Sequence, residues 1–141
     1  MSFLGLDVGE KRIGVARSDE LNFMAHPVGF IKRVSDAQVA LELKKLLNEL
    51  HVQKIVVGLP KTMKGETGTQ AEKVLSFVER LQSYLSCPIV TWDERLTTVQ
   101  AERALIAQDI SRAKRKKKRD AIAAEIMLQS YIDFSNRKEI G

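Results

Sequence analysis

The spacing of hydrophobic residues in this 141-residue chain changes partway along, and that change limits the folds available to it. In the first part, apolar residues cluster in short segments of extended type, over residues 2–8, 12–18 and about 24–32. Only short turns separate these segments, which is typical of antiparallel neighbours. The sequence therefore predicts a three-stranded antiparallel meander at the start of the chain.

After the meander, helical and extended patterns alternate. Capping patterns of the Ser/Thr-x-x-Glu/Gln type open three predicted helices, at Ser35, Thr69 and Thr97. Extended segments at 54–60 and 89–92 separate these helices, and a final helix is predicted to end near Phe134. The order β-β-β-α-β-α-β-α-α predicts one α/β domain over residues 1–141, a mixed five-stranded sheet flanked by helices on both faces.

The positive charge of the chain is concentrated in one stretch. Seven of the eight residues from 112 to 119 are Lys or Arg, whereas the remainder has 16 Lys and Arg against 18 Asp and Glu. A local cationic patch is typical of surfaces that bind phosphate. We therefore predict nucleic-acid contacts for the run Lys114, Arg115, Lys116, Lys117, Lys118 and Arg119. A solvated loop, or a patch for an acidic protein or lipid, is the alternative interpretation.

The sequence also indicates where the protein works. No apolar run approaches the roughly 20 residues that span a bilayer, so no membrane partner is expected. The N-terminus lacks the basic and apolar pattern of a signal peptide. The single cysteine, Cys87, cannot form an internal disulfide, which favours a reducing compartment. Together these features predict a cytoplasmic location.

Three acidic positions stand near the ends of predicted elements. Asp7 ends the first strand, on the same face as Phe3 and Gly5, and a carboxylate there is costly to bury unless it is paired or binds metal. The alternative is a strand-end residue that caps a turn. Asp93 and Glu94 follow the fifth strand directly, and one of them is expected to point into the same cleft. Alternation does not choose between these two.

Asp120 is the third acidic position, at the start of the final predicted helix. At 100° per residue, its direction lies within about 60° of a core-facing stripe, formed by Ala123, Ala124, Met127, Tyr131 and Phe134. We therefore predict that Asp120 heads this stripe and faces the sheet. The alternative is a favourable placement against the dipole of the helix N-terminus.

Three converging carboxylates would repel one another unless a cation neutralised them. Oxygen ligands alone favour Mg²⁺ or Mn²⁺, and a pair of such ions about 3.5–4 Å apart can support phosphodiester hydrolysis. The isolated residues His26, His51 and Cys87 offer no competing metal cluster. Cations expected in loops beside the acids could share the phosphate charge, namely Lys11, Arg12, Lys61 and Arg95.

Four motifs resemble the YqgF/RuvX family, and together they extend over nearly the whole chain. They are residues 7–16, residues 57–60 with Gly65 and Gly68, residues 93–98, and residues 120–124. The resemblance implies a ribonuclease H-like fold, with Asp7, Glu94 and Asp120 as the metal-binding acids. It also implies a nuclease that matures the small-subunit (16S) ribosomal RNA precursor at its 5′ end, or a resolvase of four-way Holliday junctions.

Two other classes of protein fit parts of the sequence. Nucleotide-binding ATPases of the actin and sugar-kinase type also carry Asp-x-Gly on a hairpin, but they usually need two lobes and a second Gly-rich motif. A non-catalytic module could instead bind RNA through the cationic run. The sequence leaves open whether the protein is a monomer or a homodimer, which matters because symmetric junction cleavage needs two sites.

Overall fold

A computed structural model describes residues 1–60, 68–94 and 119–140. These residues form five strands, β1 (Ser2–Val8), β2 (Arg12–Ser18), β3 (Ala25–Lys32), β4 (Val52–Leu59) and β5 (Ile89–Asp93). The same described residues form three helices, α1 (Asp36–Glu49), α2 (Thr69–Gln82) and α3 (Arg119–Ile140). The helix predicted from Thr97 to about residue 108 lies outside the described residues. None of the described helices is long and apolar enough to cross a membrane.

The five strands form one sheet in the order β3-β2-β1-β4-β5. The β1–β2 and β2–β3 pairs are antiparallel, whereas β4 runs parallel to both β1 and β5. The predicted mixed five-stranded sheet is therefore confirmed. Its central strand is β1, the strand that carries Asp7.

The starts of α1 and α2 differ in how well the sequence predicted them. At α1, the Ser35 side chain accepts a hydrogen bond from the Gln38 amide, and the predicted capping box is present. At α2, the predicted Thr69 cap is wrong, because Gly68 is the N-cap and no side chain caps the helix. The Gly68 carbonyl accepts from the Glu72 amide at 3.0 Å, so Thr69 is already the first helical residue.

Strand alternation gives the sheet two faces of different character. One face, here called the aliphatic face, carries Leu4 and Leu6 and packs against α1 and α2. The other, here called the acid face, carries Phe3, Gly5 and Asp7 and packs against α3. Helices thus cover both faces, as predicted. The core has one cluster of buried residues on each side of the sheet.

The orientation of α3 corrects the predicted stripe. Ala124 and Met127 are buried, but Ala123 is exposed and Phe134 is 48% exposed. The buried side is centred instead on Leu128, about 80° round the helix from Asp120. Leu128 takes this position because Gly5 leaves room for it, since a Cβ on Gly5 would lie 2.9 Å from the Leu128 Cβ. Asp120 consequently lies at the edge of the buried side, half-exposed.

Candidate active site

Asp7 lies near the carboxyl end of β1 with a glycine beside it on each neighbouring strand. Gly14 of β2 is its direct partner in the antiparallel pair. On β4, Gly58 follows Val57, the partner of Leu6, so Gly58 runs alongside Asp7. Both glycines lie on the acid face. Each leaves space on that face in which another part of the chain can approach the Asp7 side chain.

The N-terminal end of α3 occupies the space over Gly14. A Cβ on Gly14 would lie 1.9 Å from the Asp120 carbonyl oxygen, a distance at which no side chain fits. The close approach of helix and strand therefore depends on glycine at this position. The Asp120 carboxylate pairs with Arg12 at the start of β2, whose Nε lies 3.2 Å from Oδ2.

Glu94 occupies the space over Gly58. It follows β5 directly, two residues after Trp92, and Trp92 is the partner of Gly58 in the sheet. A Cβ on Gly58 would lie 2.6 Å from the Glu94 Oε1. The Glu94 side chain is thereby brought into hydrogen-bonding contact with Asp7. Asp93 pairs instead with Leu59, a residue of the aliphatic face.

The electrostatics of the site favour one shared proton. Burial, followed by repulsion from Asp7, raises the pKa of Glu94 to about 7, and its hydrogen bond with Asp7 and the charge of Asp93 act in the same direction. Burial also raises the pKa of Asp7, and the charge of Asp120 adds to this, whereas the hydrogen bond from Glu94 opposes it. Near neutral pH the protonated Glu94 can thus donate to the ionised Asp7.

The chemistry of these side chains fits a hard divalent cation. Asp7, Glu94 and Asp120 offer only carboxylate oxygens. Burial first, and then repulsion between the acids, raises the pKa values of Asp7 and Glu94, and a bound cation would offset both. Within residues 1–60, 68–94 and 119–140, no three His, Cys, Asp or Glu residues are already grouped as metal ligands. Asp120 faces Arg12 instead, so its carboxylate would exchange this partner for a metal.

The remaining predicted contact residues are divided between the described and undescribed parts of the chain. Lys11 is exposed in the turn between β1 and β2, and Arg12 follows it at the start of β2. Arg119 is the first residue of α3. The other predicted phosphate contacts lie outside the described residues, namely Lys61, Arg95, Lys114, Arg115, Lys116, Lys117 and Lys118.

Sequence reasoning missed the function of Gly14 and Gly58. Both were visible as glycines inside predicted strands, which is a known sign of close approach by another backbone or group. What the sequence did not supply was the pairing of each with Asp7. A glycine that neighbours Asp7 across the sheet would have indicated close approach of another group, but finding it requires the strand register.

Comparison with known proteins gives relatives over almost the full chain. The sequence pattern of the family RuvX, described as "Holliday junction resolvase", matches residues 1–134. A protein of Thermoanaerobacter pseudethanolicus is 50% identical over 139 residues, covering 98% of this chain and 100% of its own. One of Caldanaerobacter subterraneus subsp. tengcongensis is 51% identical over 134 residues, covering 94% and 96%. Both carry the name "Putative pre-16S rRNA nuclease".

Among solved structures, the chain is similar to Thermus thermophilus RuvC in complex with a Holliday junction substrate. The two share 16% sequence identity with a TM-score of 0.59, over 96% of each chain. At this level of identity the likeness concerns the fold. It confirms the predicted ribonuclease H-like fold.

Proposed function

This chain belongs to the RuvX family, and we propose that it is a metal-dependent nuclease that hydrolyses phosphodiester bonds in structured nucleic acid. The observation that carries the proposal is the placement of Asp7, Glu94 and Asp120 on one face of the sheet. Gly14 and Gly58 make that placement possible, since side chains there would exclude the Asp120 backbone and the Glu94 carboxyl.

In this proposal the three acids hold Mg²⁺ or Mn²⁺, as a two-ion site. When bound, such ions neutralise phosphate charge and make an attacking water more acidic. Asp7, on the central strand, would lie between the other two ligands, because Gly58 and Gly14 flank it in the sheet. Glu94 would give up the proton that it donates to Asp7 before it binds a cation.

The cations of the chain would bind the nucleic-acid backbone. Arg12, released from Asp120, could reach a phosphate beside the acids, and Lys11 lies next to it in the same turn. We propose further contacts by Lys61, Arg95 and the run from Lys114 to Arg119. Such contacts fix the position of the substrate without reading its sequence.

The proposed substrate is the 5′ end of the small-subunit (16S) ribosomal RNA precursor. Support comes from relatives about half identical to this chain, which are named for pre-16S rRNA. Such a role would place the protein in the cytoplasm, acting as a monomer or a homodimer. A second candidate is a four-way DNA junction, favoured by the family description and by the fold shared with RuvC on its junction substrate.

The experiment compares both substrates in parallel. An RNA that spans the 5′ end of the precursor and a four-way DNA junction are incubated with the purified protein and Mg²⁺ or Mn²⁺. We expect the wild-type protein to cleave the RNA. EDTA should abolish this cleavage, and the Asp7→Asn variant should not cleave. The matched control is Asp133→Asn, which changes an acid on the same helix as Asp120 but about 20 Å further along it.

The outcomes separate the candidates. Faster cleavage of the junction would transfer the assignment to the resolvase. Binding of RNA without cleavage of either substrate would refute the nuclease and favour a non-catalytic binding module. Cleavage by Asp7→Asn at the wild-type rate would refute the site.

A further inference from the structure

An exposed aromatic side chain lies in the same row of the sheet as Asp7. Phe30, on the edge strand β3, is 52% exposed. Its partner on β2 is Gly14, and Gly14 in turn is the partner of Asp7 on β1. Partners across a sheet point to the same face, so Phe30 belongs to the acid face. Two strand spacings separate it from Asp7, about 10 Å.

A β-bulge sets the direction of Phe30. The register between β2 and β3 shifts after Val15, so that Pro27 pairs with Ala16 and Gly29 with Val15, leaving Val28 as an extra residue. If β3 had the same residues but no bulge, strict alternation from Pro27 would place Phe30 on the aliphatic face. Gly29 has a φ of 153°, which favours glycine. The bulge thus moves a large aromatic residue onto the acid face.

Arg12 connects Phe30 to the acids. Its guanidinium carbon lies 5.7 Å from the centroid of the Phe30 ring, and its Nε lies 3.2 Å from the Asp120 carboxylate. The cation therefore stands between an aromatic ring and one of the proposed metal ligands. Such a pair presents a flat apolar surface and a phosphate-binding group side by side.

We propose that Phe30 and Arg12 form a platform on which an unpaired base of the substrate stacks, beside the phosphate that is cleaved. This inference rests on the proposed nuclease function and specifies its substrate as a strand with unstacked bases near the cut. Aromatic rings beside guanidinium groups bind single-stranded bases by stacking, with little dependence on sequence. A fully paired duplex would not offer a base to this surface.

The structure of β3 argues against a second copy of the chain as the occupant. Edge strands that pair with other chains present a regular row of free N–H and C=O groups. On β3 this row is broken, because Pro27 has no N–H and Val28 is the bulged residue. His26 and Lys32 are also exposed on the strand. The exposed ring of Phe30 is therefore available on the face of the sheet, whereas the edge of β3 is protected from pairing with another strand.

The test measures binding apart from cleavage. A single-stranded RNA of about 12 nucleotides with 2-aminopurine at its centre is titrated with protein in EDTA. Fluorescence anisotropy reports binding, and the intensity of 2-aminopurine fluorescence reports stacking. We expect wild-type protein to quench the fluorescence by stacking, and Phe30→Ala to bind about ten-fold more weakly with the quenching lost. Phe30→Trp should restore both. In cleavage assays with Mn²⁺, Phe30→Ala should raise KM about ten-fold with kcat little changed.

The matched control is Phe23→Ala, which removes another exposed phenylalanine, 58% exposed, in the turn between β2 and β3. This variant should bind and quench like wild type. Equal effects of Phe23→Ala and Phe30→Ala would overturn the platform, and so would full activity and quenching in Phe30→Leu. A change in oligomeric state of Phe30→Ala in sedimentation velocity would overturn it in favour of a contact between copies.

The same measurements separate the platform from the nuclease. Unchanged binding by Phe30→Ala in a protein that cleaves with Mn²⁺ would refute only the platform. If the wild-type protein cleaves neither substrate but Phe30→Ala loses binding and quenching, the stacking platform is supported and the nuclease is refuted.

Discussion

The two faces of the sheet are built on the same strands from opposite kinds of residue. On the aliphatic face, large side chains fill the space between strands and helices, and Leu4, Leu6 and Ile13 are fully buried there. On the acid face, glycine stands at positions 5, 14 and 58, and each would clash with a neighbour if it had a Cβ. The first face gains stability from burial, whereas the second gives up side chains so that other groups can come close.

Strand alternation thus separates the residues that stabilise the fold from those proposed to function. Leu6 and Asp7 are adjacent in sequence but point to opposite faces. Leu6 is completely buried, whereas Asp7 is half-buried with a raised pKa, a costly arrangement for the folded protein without a cation. Substitutions on the two faces should therefore affect different measurements.

The largest effect is expected from Asp7→Asn. Loss of a metal ligand removes several kcal/mol of transition-state stabilisation, so the cleavage rate should fall by about 1,000-fold. The free energy of unfolding should stay equal or rise, because the variant removes a carboxylate whose pKa is raised by burial. Urea unfolding and cleavage rates on the same preparation test this. A destabilised variant would show that Asp7 supports the fold.

The opposite result is expected from Leu6→Ala, one residue earlier. Removal of a fully buried leucine side chain leaves a cavity and should lower the free energy of unfolding by about 2–5 kcal/mol. Cleavage per folded molecule, measured well below the melting temperature, should remain within about three-fold of wild type. A large loss of activity in folded protein would mean that the aliphatic face also shapes the site.

Two glycine substitutions within the acid face should differ from each other. In Gly14→Ala the new Cβ meets backbone, the Asp120 carbonyl at 1.9 Å, so α3 must move. We expect a loss of about 1–3 kcal/mol in stability together with most of the activity. In Gly58→Ala the Cβ meets the end of the Glu94 side chain at 2.6 Å, which can rotate away. Metal affinity should fall there with a smaller loss of stability.

Calorimetric melting and Mn²⁺ titration of the two variants provide the test. Equal melting temperatures for Gly14→Ala and Gly58→Ala would contradict the distinction between a backbone and a side-chain contact.

A smaller effect is expected in the pH dependence of stability. The pKa of Glu94 is raised from 4.5 to about 7, so the folded metal-free protein binds this proton more tightly than the unfolded chain does. The resulting stabilisation is complete below about pH 4.5 and is lost as the pH rises through about 7. Glu94→Gln should therefore raise the melting temperature at pH 8 relative to wild type, in EDTA.

Because Glu94 is only half-buried, we expect a gain of about 1 kcal/mol, or a few degrees. At pH 4.5 the two proteins should melt alike, and Mn²⁺ should stabilise only wild type at pH 8. A variant that melts below wild type at pH 8 in EDTA would show that the Glu94 carboxylate stabilises the site.

The smallest effect on stability is expected from Arg12→Gln. The side chains of its pair with Asp120 are 59% and 35% exposed, and surface ion pairs contribute about 0–1 kcal/mol. The melting temperature should hardly change, whereas affinity for RNA should fall and depend less on salt. Lys45→Gln, an exposed lysine on α1 at the aliphatic face, is the matched control for loss of one cation. A strong destabilisation by Arg12→Gln would make the pair structural.

Much of the fold could be predicted because its signals are local. The strand β2 and the helix start at Ser35 agree with alternation and capping read directly from neighbouring residues. The Thr69 cap failed because either Gly68 or Thr69 could supply the extended residue before a helix, and only the backbone path into α2 decides between them. The stripe of α3 was wrong in part for a similar reason, because the close fit of Leu128 on Gly5 sets the rotation of the helix.

Local patterns in the sequence are enough to place Asp7 at a strand end and to point its side chain to the face opposite Leu6, since side-chain alternation depends only on the local backbone. They also place a carboxylate after the fifth strand and another at the head of the last helix. Only the tertiary structure placed Glu94 over Gly58 and Asp120 over Gly14, and Phe30 in line with both Gly14 and Asp7. These relations join residues far apart in the chain, and they depend on strand order, register and the space left by a missing Cβ.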